Sequence, residues 1–84
     1  MLKEITDPVY PQQNGFIDFL LTKTQLKNDA ALCRLLDVKP PVVSKMRHGR
    51  HPVSPFILLR VHDATGIPLP ELRAHIAARA GAEA

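Results

Sequence analysis

Cysteine and aromatic residues are scarce in this sequence. Cys33 is the single cysteine, so no disulfide bond can form within the chain, and this usage fits a reducing compartment. Tryptophan is absent, and Tyr10 with three phenylalanines makes up the aromatic set, which requires a mostly aliphatic core. The longest apolar stretches, FIDFLL and FILL, are too short to span a bilayer, and the first ten residues lack the apolar segment of a signal peptide. We therefore expect a cytoplasmic protein with no membrane partner.

Acidic residues are scarce in the middle of the chain. The segment 23–60 contains eight basic residues and only two acidic ones, a net charge of +6, whereas the remaining residues sum to −3. A basic block in a chain of modest overall charge indicates a polyanionic partner for that block. A solvated basic surface without a partner is the alternative, and charge alone does not separate the two.

Strand signals are missing as well, since no polar–apolar alternation and no hairpin turn stands out. Apolar residues instead recur at helical spacing in five short segments joined by brief connections. The 84 residues suffice for one small domain and its core. We therefore predict an all-α, compact five-helix domain over residues 14–80, with an arm over 1–13 and a flexible tail over 81–84.

The first two helices are predicted from their start signals and apolar faces. Asn14 and Gly15 cap or precede the first helix. Its apolar stripe comprises Phe16, Ile17, Leu20 and Leu21. Asn28 is a good N-cap for the second helix, where Asp29 in the first turn favours the positive end of the helix dipole. This second helix is short and is expected to end near Asp37.

The end of the third helix and the two helices after it have equally clear signals. Gly49 suits a left-handed cap at the end of the third helix, and Ser54 followed by Pro55 is a strong start for the fourth. The core face predicted for the fourth helix comprises Phe56, Ile57, Leu58, Val61 and Ala64. Gly66 closes this helix, and a fifth is predicted over 71–79. Its inward-facing residues are Leu72 and Ile76.

Two prolines, Pro40 and Pro41, stand where the third helix is expected to begin. The apolar spacing of this helix is given by Val42, Val43 and Met46. Proline is well tolerated in a first turn, because the first N–H groups of a helix have no intrahelical acceptor and the fixed φ suits a helix. Since Pro41 disfavours helical geometry at the residue before it, we predict a start near Pro41, with Lys39 or Pro40 as the flanking residue.

The stretch LCRLLDVKPPVVSKMRHGR resembles the helix-turn-helix signature of the Cro and lambda-repressor family, LAxxLGVsxxxISrxexG. The matching positions are Leu32, Cys33, Leu36, Asp37, Val38, Val43, Ser44 and Gly49. The following LLRVHDATGIPLPELR is similar to the family's next helix and its aLgvsldeL segment, so the resemblance covers about residues 15–78. It implies a lambda-repressor-like fold with the third helix presented as a recognition helix.

Three positions depart from that signature. Asp37 replaces the turn glycine, and aspartate tolerates the left-handed conformation better than most residues. Asp29 replaces the usual glutamine and brings an anion near the expected phosphate track. Pro40 and Pro41 occupy positions where many family members carry base-reading polar side chains. A proline can touch a thymine methyl group but cannot form a bidentate pair with a base, and a rigid turn without a DNA role explains the pair equally well.

The resemblance and the basic middle segment imply sequence-specific binding of double-stranded DNA by a small prokaryotic or phage-type transcriptional regulator. Residues 41–48 would enter the major groove. Base contacts are expected from Pro41, Ser44, Lys45 and His48. Phosphate contacts are expected from Asn28, Lys39, Arg47, Arg50 and His51. A homodimer is the assembly that the family implies, with the first helix, the arm or the fifth helix as its contact.

Other reactive side chains have simpler interpretations. Cys33 is expected to be a small buried thiol. His48 and His51 match no zinc-site spacing, and Glu71 with His75, one helical turn apart, is typical of an exposed side-chain pair. Since no phosphate-binding loop, metal motif or nucleophile signature is present, we expect no enzymatic activity, no cofactor and no small-molecule ligand.

A second hypothesis places the chain in another functional class. It is a helical protein–protein interaction module on a repressor-like scaffold that has lost base readout. The two prolines and Asp29 at the reading surface favour it, and its partner would contact the apolar flanks of the first or fifth helix.

Overall fold

A computed structural model describes residues 10–77, which fold into five α-helices without strands. The helices are α1 (Asn14–Thr24), α2 (Asp29–Leu36), α3 (Pro40–Arg47), α4 (Pro55–Thr65) and α5 (Leu69–Ala74). The all-α prediction is therefore confirmed. Over this range no helix is both long and apolar enough to cross a membrane.

Two helices have the N-caps that the sequence indicates, and a third begins within one residue of its prediction. Asn28 caps α2, with its side-chain Oδ1 accepting a hydrogen bond of 2.9 Å from the Ala31 N–H. Ser54 caps α4 in the same way, through a 3.3 Å bond from the Ile57 N–H to its hydroxyl oxygen. Helix α3 begins at Pro40, one residue earlier than predicted, and Lys39 is its extended flanking residue.

Left-handed residues end the helices where the sequence predicts tight turns. Asp37 ends α2 with a φ of 58°, so this aspartate does take the conformation of the turn glycine. Gly49 has a φ of 74° and lies one residue beyond the C-cap of α3, and Gly66 has a φ of 77° at the end of α4. Gln25 takes the same conformation after α1, which the sequence did not indicate.

The core is mostly aliphatic, with one phenylalanine and the sulfur-containing Cys33 and Met46. Helix α2 is central because it packs against α1, α3 and α4. The buried apolar members of the core are Phe16, Ile17, Leu20, Leu32, Cys33, Leu36, Val43, Met46, Ile57, Val61, Ile67 and Leu72. The predicted core face of α4 is wrong at Phe56 and Ala64, which are exposed. Phe56 packs its ring on Arg60 instead, and Ala64 lines an open cavity together with Leu35.

Helix α5 also differs from its prediction. It runs from Leu69 to Ala74, because Pro68 starts it two residues early and Pro70 is accepted in its first turn. Leu72 is fully buried as expected, whereas Ile76 is half-buried beyond the helix end. Predicted helical residues 78 and 79, the tail 81–84 and arm residues 1–9 lie outside the described range.

The last residues of the predicted arm are attached to the domain. The Tyr10 N–H donates to the Gly49 carbonyl at 2.8 Å, and the Gln13 N–H donates to the Met46 carbonyl at 3.1 Å. The buried Gln13 side chain also exchanges two hydrogen bonds with the backbone of Ala77. The segment 10–13 therefore holds the end of α3 and the end of the described chain together.

Candidate nucleic-acid interface

A connection of three residues joins α2 to α3 and fixes how α3 is presented. Asp37 reverses the chain in the left-handed conformation, and the Val38 N–H closes the end of α2 by donating to the Cys33 carbonyl at 3.0 Å. Lys39 is extended, as a residue before proline should be. Helices α2 and α3 consequently pack closely, with Val43 and Met46 of α3 fully buried.

The outward side of α3 carries the four side chains predicted to contact bases. These residues, hereafter the outer stripe, are Pro41, Ser44, Lys45 and His48, and all four are exposed. Their spacing of three and four residues places them on one helix face. The structure thus brings the predicted base-contact set together on one surface.

The predicted phosphate contacts divide into different environments. Asn28, Lys39 and Arg50 are exposed, although the Asn28 carbonyl oxygen is already used as the helix cap. The backbone of Arg50 folds against α3, its N–H donating to the Lys45 carbonyl at 2.7 Å. His51 is half-buried, and its Nδ1 donates to the Pro52 carbonyl at 2.7 Å, since a carbonyl can only accept.

Arg47 occupies a position that the sequence interpretation did not anticipate. Its Nε and Nη2 donate to the two carboxylate oxygens of Asp29 at 2.8 and 2.9 Å, a bidentate pair. Nη2 also lies 2.9 Å from a carboxylate oxygen of Asp18, and Nη1 donates to the Asn14 side chain at 3.2 Å. Only 19% of the Arg47 side chain is exposed. The guanidinium therefore joins α1, α2 and α3.

This arrangement changes the interpretation of two residues. The sequence predicts that Arg47 contacts phosphate. In the structure its donors face carboxylates within the domain, so Arg47 acts as a clamp, meaning that it holds α3 against α1 and α2. Asp29, interpreted from the sequence as an anion near the phosphate track, is the principal partner of that clamp. The hydrogen bond from Arg47 holds the pKa of the Asp29 carboxyl below its ordinary value, and the same bond raises the pKa of Arg47.

The depressed pKa of Asp29 predicts a pH-dependent stability contribution. A carboxyl with a lowered folded-state pKa stabilises the fold above its unfolded-state pKa and loses that effect as the pH falls through its folded-state pKa. We expect Asp29→Asn to lower the unfolding midpoint at pH 7 and to lose this deficit as the pH falls below about 4. Thermal unfolding of both proteins between pH 7 and pH 3 tests this. A deficit of constant size would contradict the ionic role of Asp29.

Cys33 confirms the expectation of a buried thiol. It is 2% exposed, and burial raises the pKa of the thiol. Its Sγ lies 3.8 Å from the carbonyl oxygen of Pro40, within the range of a weak thiol hydrogen bond. Cys33 thus contacts the first turn of α3 from below.

Glu71 and His75 connect α5 to α1. Glu71 lies 3.4 Å from the Lys23 ammonium, and the His75 ring stacks on Phe19 with 3.7 Å between the ring centroids. The expected pairing of Glu71 with His75 is therefore replaced by contacts across the helix interface. Among residues 10–77, no three side chains of the metal-ligating types gather into a possible metal site.

A second exposed surface, which is apolar, lies on α2 and α4. It consists of Leu35, Phe56 and Leu59, which are 39%, 60% and 51% exposed and are the large apolar side chains exposed within the described chain. We call this surface the α2–α4 patch. The sequence interpretation missed it because Phe56 was assigned to the core and Leu35 was not assigned to either face.

Arg60 fixes the aromatic member of this patch. Its guanidinium lies 4.9 Å from the centre of the Phe56 ring, while Nη1 donates to the Leu36 carbonyl at 3.1 Å and lies 3.4 Å from Asp37. A cavity of about 500 Å³ adjoins the ring, and Asp63 and Ala64 are among its lining residues. The patch thus combines an anchored ring with an open groove.

The fold defines an all-α protein with a basic, exposed helix. Comparisons of the chain with protein-family models, with curated proteins and with solved structures gave no match.

Proposed function

We propose that this chain is a lambda-repressor-like, helix-turn-helix protein that binds double-stranded DNA and acts as a small transcriptional regulator. Helices α2 and α3 form the helix-turn-helix, and α3 enters the major groove. The observation that carries the proposal is the outer stripe. It gathers Ser44, Lys45 and His48 on the exposed side of a helix whose opposite side is buried.

The charge around α3 supports a polyanionic partner. Three exposed cations surround this helix. Lys39 lies at its start, Lys45 on its outer face and Arg50 just beyond its end. The carboxylates of Asp29 and Asp18 lie against Arg47, whose single positive charge offsets one of the two, and the three exposed cations outnumber the other. The surface offered to a phosphate backbone is therefore basic despite two nearby acidic residues.

The residues proposed for DNA contact follow from their exposure. Base contacts are assigned to the outer stripe. Phosphate contacts are assigned to Lys39, Arg50 and Asn28, and His51 is assigned a position next to the DNA backbone. Arg47 is reassigned to positioning α3, because a guanidinium held by two carboxylates cannot turn toward phosphate without breaking those pairs. No catalytic step is proposed.

A salt series tests the proposal directly. Two phosphate contacts per copy, from Lys39 and Arg50, give a log–log slope of about −1.8 for one bound copy and about −3.6 for a dimer. Between 50 and 200 mM salt these slopes correspond to roughly tenfold and roughly 150-fold weaker binding. Fluorescence anisotropy with a random-sequence duplex measures this slope, and a site recovered by in vitro selection measures specificity. The same strand in single-stranded form is the control. If no duplex binds at 50 mM salt, the proposal is wrong.

We also propose that the protein binds DNA as a homodimer joined through the α2–α4 patch. A two-fold contact places one patch against its copy, so each Phe56 ring can enter the groove beside the other copy's Leu59. The rim carries both signs, with Arg60 opposite in charge to Asp37 and Asp63. This mixture suits a second copy and not a polyanion. The location differs from the first helix, the arm and the fifth helix expected from the sequence.

The variant Phe56→Glu tests this interface. A carboxylate in the centre of a desolvated contact should raise the dimer dissociation constant at least about 100-fold, because it removes an aromatic anchor and buries a charge. Analytical ultracentrifugation over a concentration series measures the change. Gln12→Glu, an exposed substitution in the segment 10–13, is the control and should leave the dimer intact. A wild-type chain that stays monomeric at several hundred micromolar would contradict the assignment.

The same patch favours a second candidate function, a protein–protein interaction module. In that case a different protein covers Phe56 and Leu59, and α3 has no nucleic-acid role. Chemical-shift mapping with duplex DNA separates the candidates. Perturbations over residues 39–51 support DNA binding, whereas an unchanged spectrum there, from a chain that is also monomeric, supports the module.

A further inference from the structure

The tip of α3 is chemically different from the rest of the outer stripe. Pro40 and Pro41 are its first two residues, and both are exposed. Neither has a backbone N–H or a polar side-chain atom, so neither can donate a hydrogen bond to a base. Pro41 lies on the same helix face as Ser44, Lys45 and His48. A groove-facing helix thus presents an apolar end followed by polar and basic side chains.

The apolar tip is also held in place. The Lys39 carbonyl accepts a 2.9 Å hydrogen bond from the Val42 N–H, which closes the first turn around the prolines. The buried Cys33 thiol lies against the Pro40 carbonyl from the protein side. With φ fixed by both rings, the tip loses little conformational freedom when it meets a partner.

One group on the major-groove edge of DNA matches such a tip. Adenine, guanine and cytosine present hydrogen-bond donors and acceptors there, whereas thymine adds an apolar C5-methyl group. The N-terminal residues of a recognition helix are the ones that approach base edges. We infer that Pro41 reads the C5-methyl group of a pyrimidine, so that the protein prefers sites with a 5-methylpyrimidine where the tip of α3 lies. This inference rests on the proposed DNA binding.

The spacing along α3 adds a constraint on the site. Lys45 lies four residues beyond Pro41, a rise of about 6 Å along the helix axis. Base pairs are about 3.4 Å apart, so the methyl-bearing pyrimidine lies within about two base pairs of the base that Lys45 contacts. Lys45 favours the N7 and O6 acceptors of guanine. A half-site therefore contains a thymine close to a guanine.

Replacing thymine by uracil tests the inference, because this change removes only the methyl group. Each thymine of a selected site is replaced in turn, and affinity is measured by anisotropy at fixed salt. Loss of one buried methyl-sized group corresponds to about fourfold weaker binding. We expect this loss at one or two positions in each half-site. At such a position, cytosine should also bind more weakly than 5-methylcytosine, which distinguishes the methyl group from the thymine ring.

The variant Pro41→Gln tests whether Pro41 is the residue that contacts the methyl group. Glutamine can pair with adenine but gains little from a methyl group, so the difference between thymine and uracil should disappear. Pro70→Gln is the matched control, since Pro70 is also an exposed proline at the second position of a helix, α5. It should keep the fourfold difference. Thermal unfolding of both variants establishes that each is folded at the assay temperature.

Three outcomes would overturn the inference, and they differ from one another. If the wild-type chain binds selected duplexes but tolerates uracil at every thymine, methyl readout is wrong and DNA binding stands. If the wild-type chain binds no duplex, methyl readout and the proposed DNA binding are both wrong. A uracil effect that persists in Pro41→Gln assigns the methyl contact to another residue and overturns the role of Pro41.

Discussion

Replacing Arg47 with methionine is expected to lower the free energy of unfolding by about 2 kcal/mol and the unfolding midpoint by about 10 °C. The change leaves the carboxylates of Asp29 and Asp18 close together without the cation between them. Breaking a fully buried ion pair costs roughly 3–5 kcal/mol, and the partial exposure of both aspartates reduces that figure. Methionine retains much of the apolar stem, so the loss reports mainly on charge and hydrogen bonding.

The control for this experiment is Arg34→Met on the exposed side of α2, which should change the midpoint little. DNA binding of the folded Arg47→Met protein should weaken, because α3 loses its connection to α1 and α2. An unchanged midpoint with uniformly weaker DNA binding would instead support the sequence interpretation of Arg47 as a phosphate contact. Differential scanning calorimetry and anisotropy on the same samples separate the two roles.

Replacing Lys45 with alanine is expected to weaken binding to a selected site about tenfold or more and to relax its preference at one base pair. Lys45 lies in the middle of the outer stripe, where a lost base contact costs about 1–3 kcal/mol. Affinity for random-sequence DNA should fall much less. Competition between the selected site and single-base variants measures the change in preference.

Lys39→Ala is the informative comparison for Lys45→Ala. Lys39 is an exposed lysine at the flank of α3. As a phosphate contact, its loss should weaken binding to selected and random duplexes equally and make the salt slope shallower by about 1 for each bound copy. Lys27→Ala, an exposed lysine between α1 and α2, should have little effect. If Lys45→Ala behaves like Lys39→Ala, Lys45 contacts the backbone and not a base.

Much of the fold was predictable from local chemistry. Caps such as Asn28 and Ser54, and the left-handed positions Asp37 and Gly49, depend on a residue and its near neighbours along the chain. The sequence therefore indicates them well. The start of α3 at Pro40 was predicted to within one residue for the same reason. The exposed stripe on α3 followed from spacing along one helix.

The errors concern contacts between segments distant in the chain. Phe56 fits the apolar pattern of α4, yet its ring lies on Arg60 at the surface, because that pattern does not say how far a neighbouring helix extends. Arg47 looked like one more cation on a basic helix. Its partner Asp29 is 18 residues away and on another helix, and no local signal links the two.

The sequence by itself thus determined that there are five helices, the N-caps of α2 and α4, and the basic character of the third helix. Each of these features depends on interactions between residues close in the chain, or on net charge, which can be counted from the sequence alone. Only the tertiary structure decided which cations and apolar side chains are available. Packing places Arg47 against two carboxylates, whereas Lys45 and the proline tip remain exposed. Packing also leaves Phe56 outside the core, because a side chain is buried only where another helix covers it.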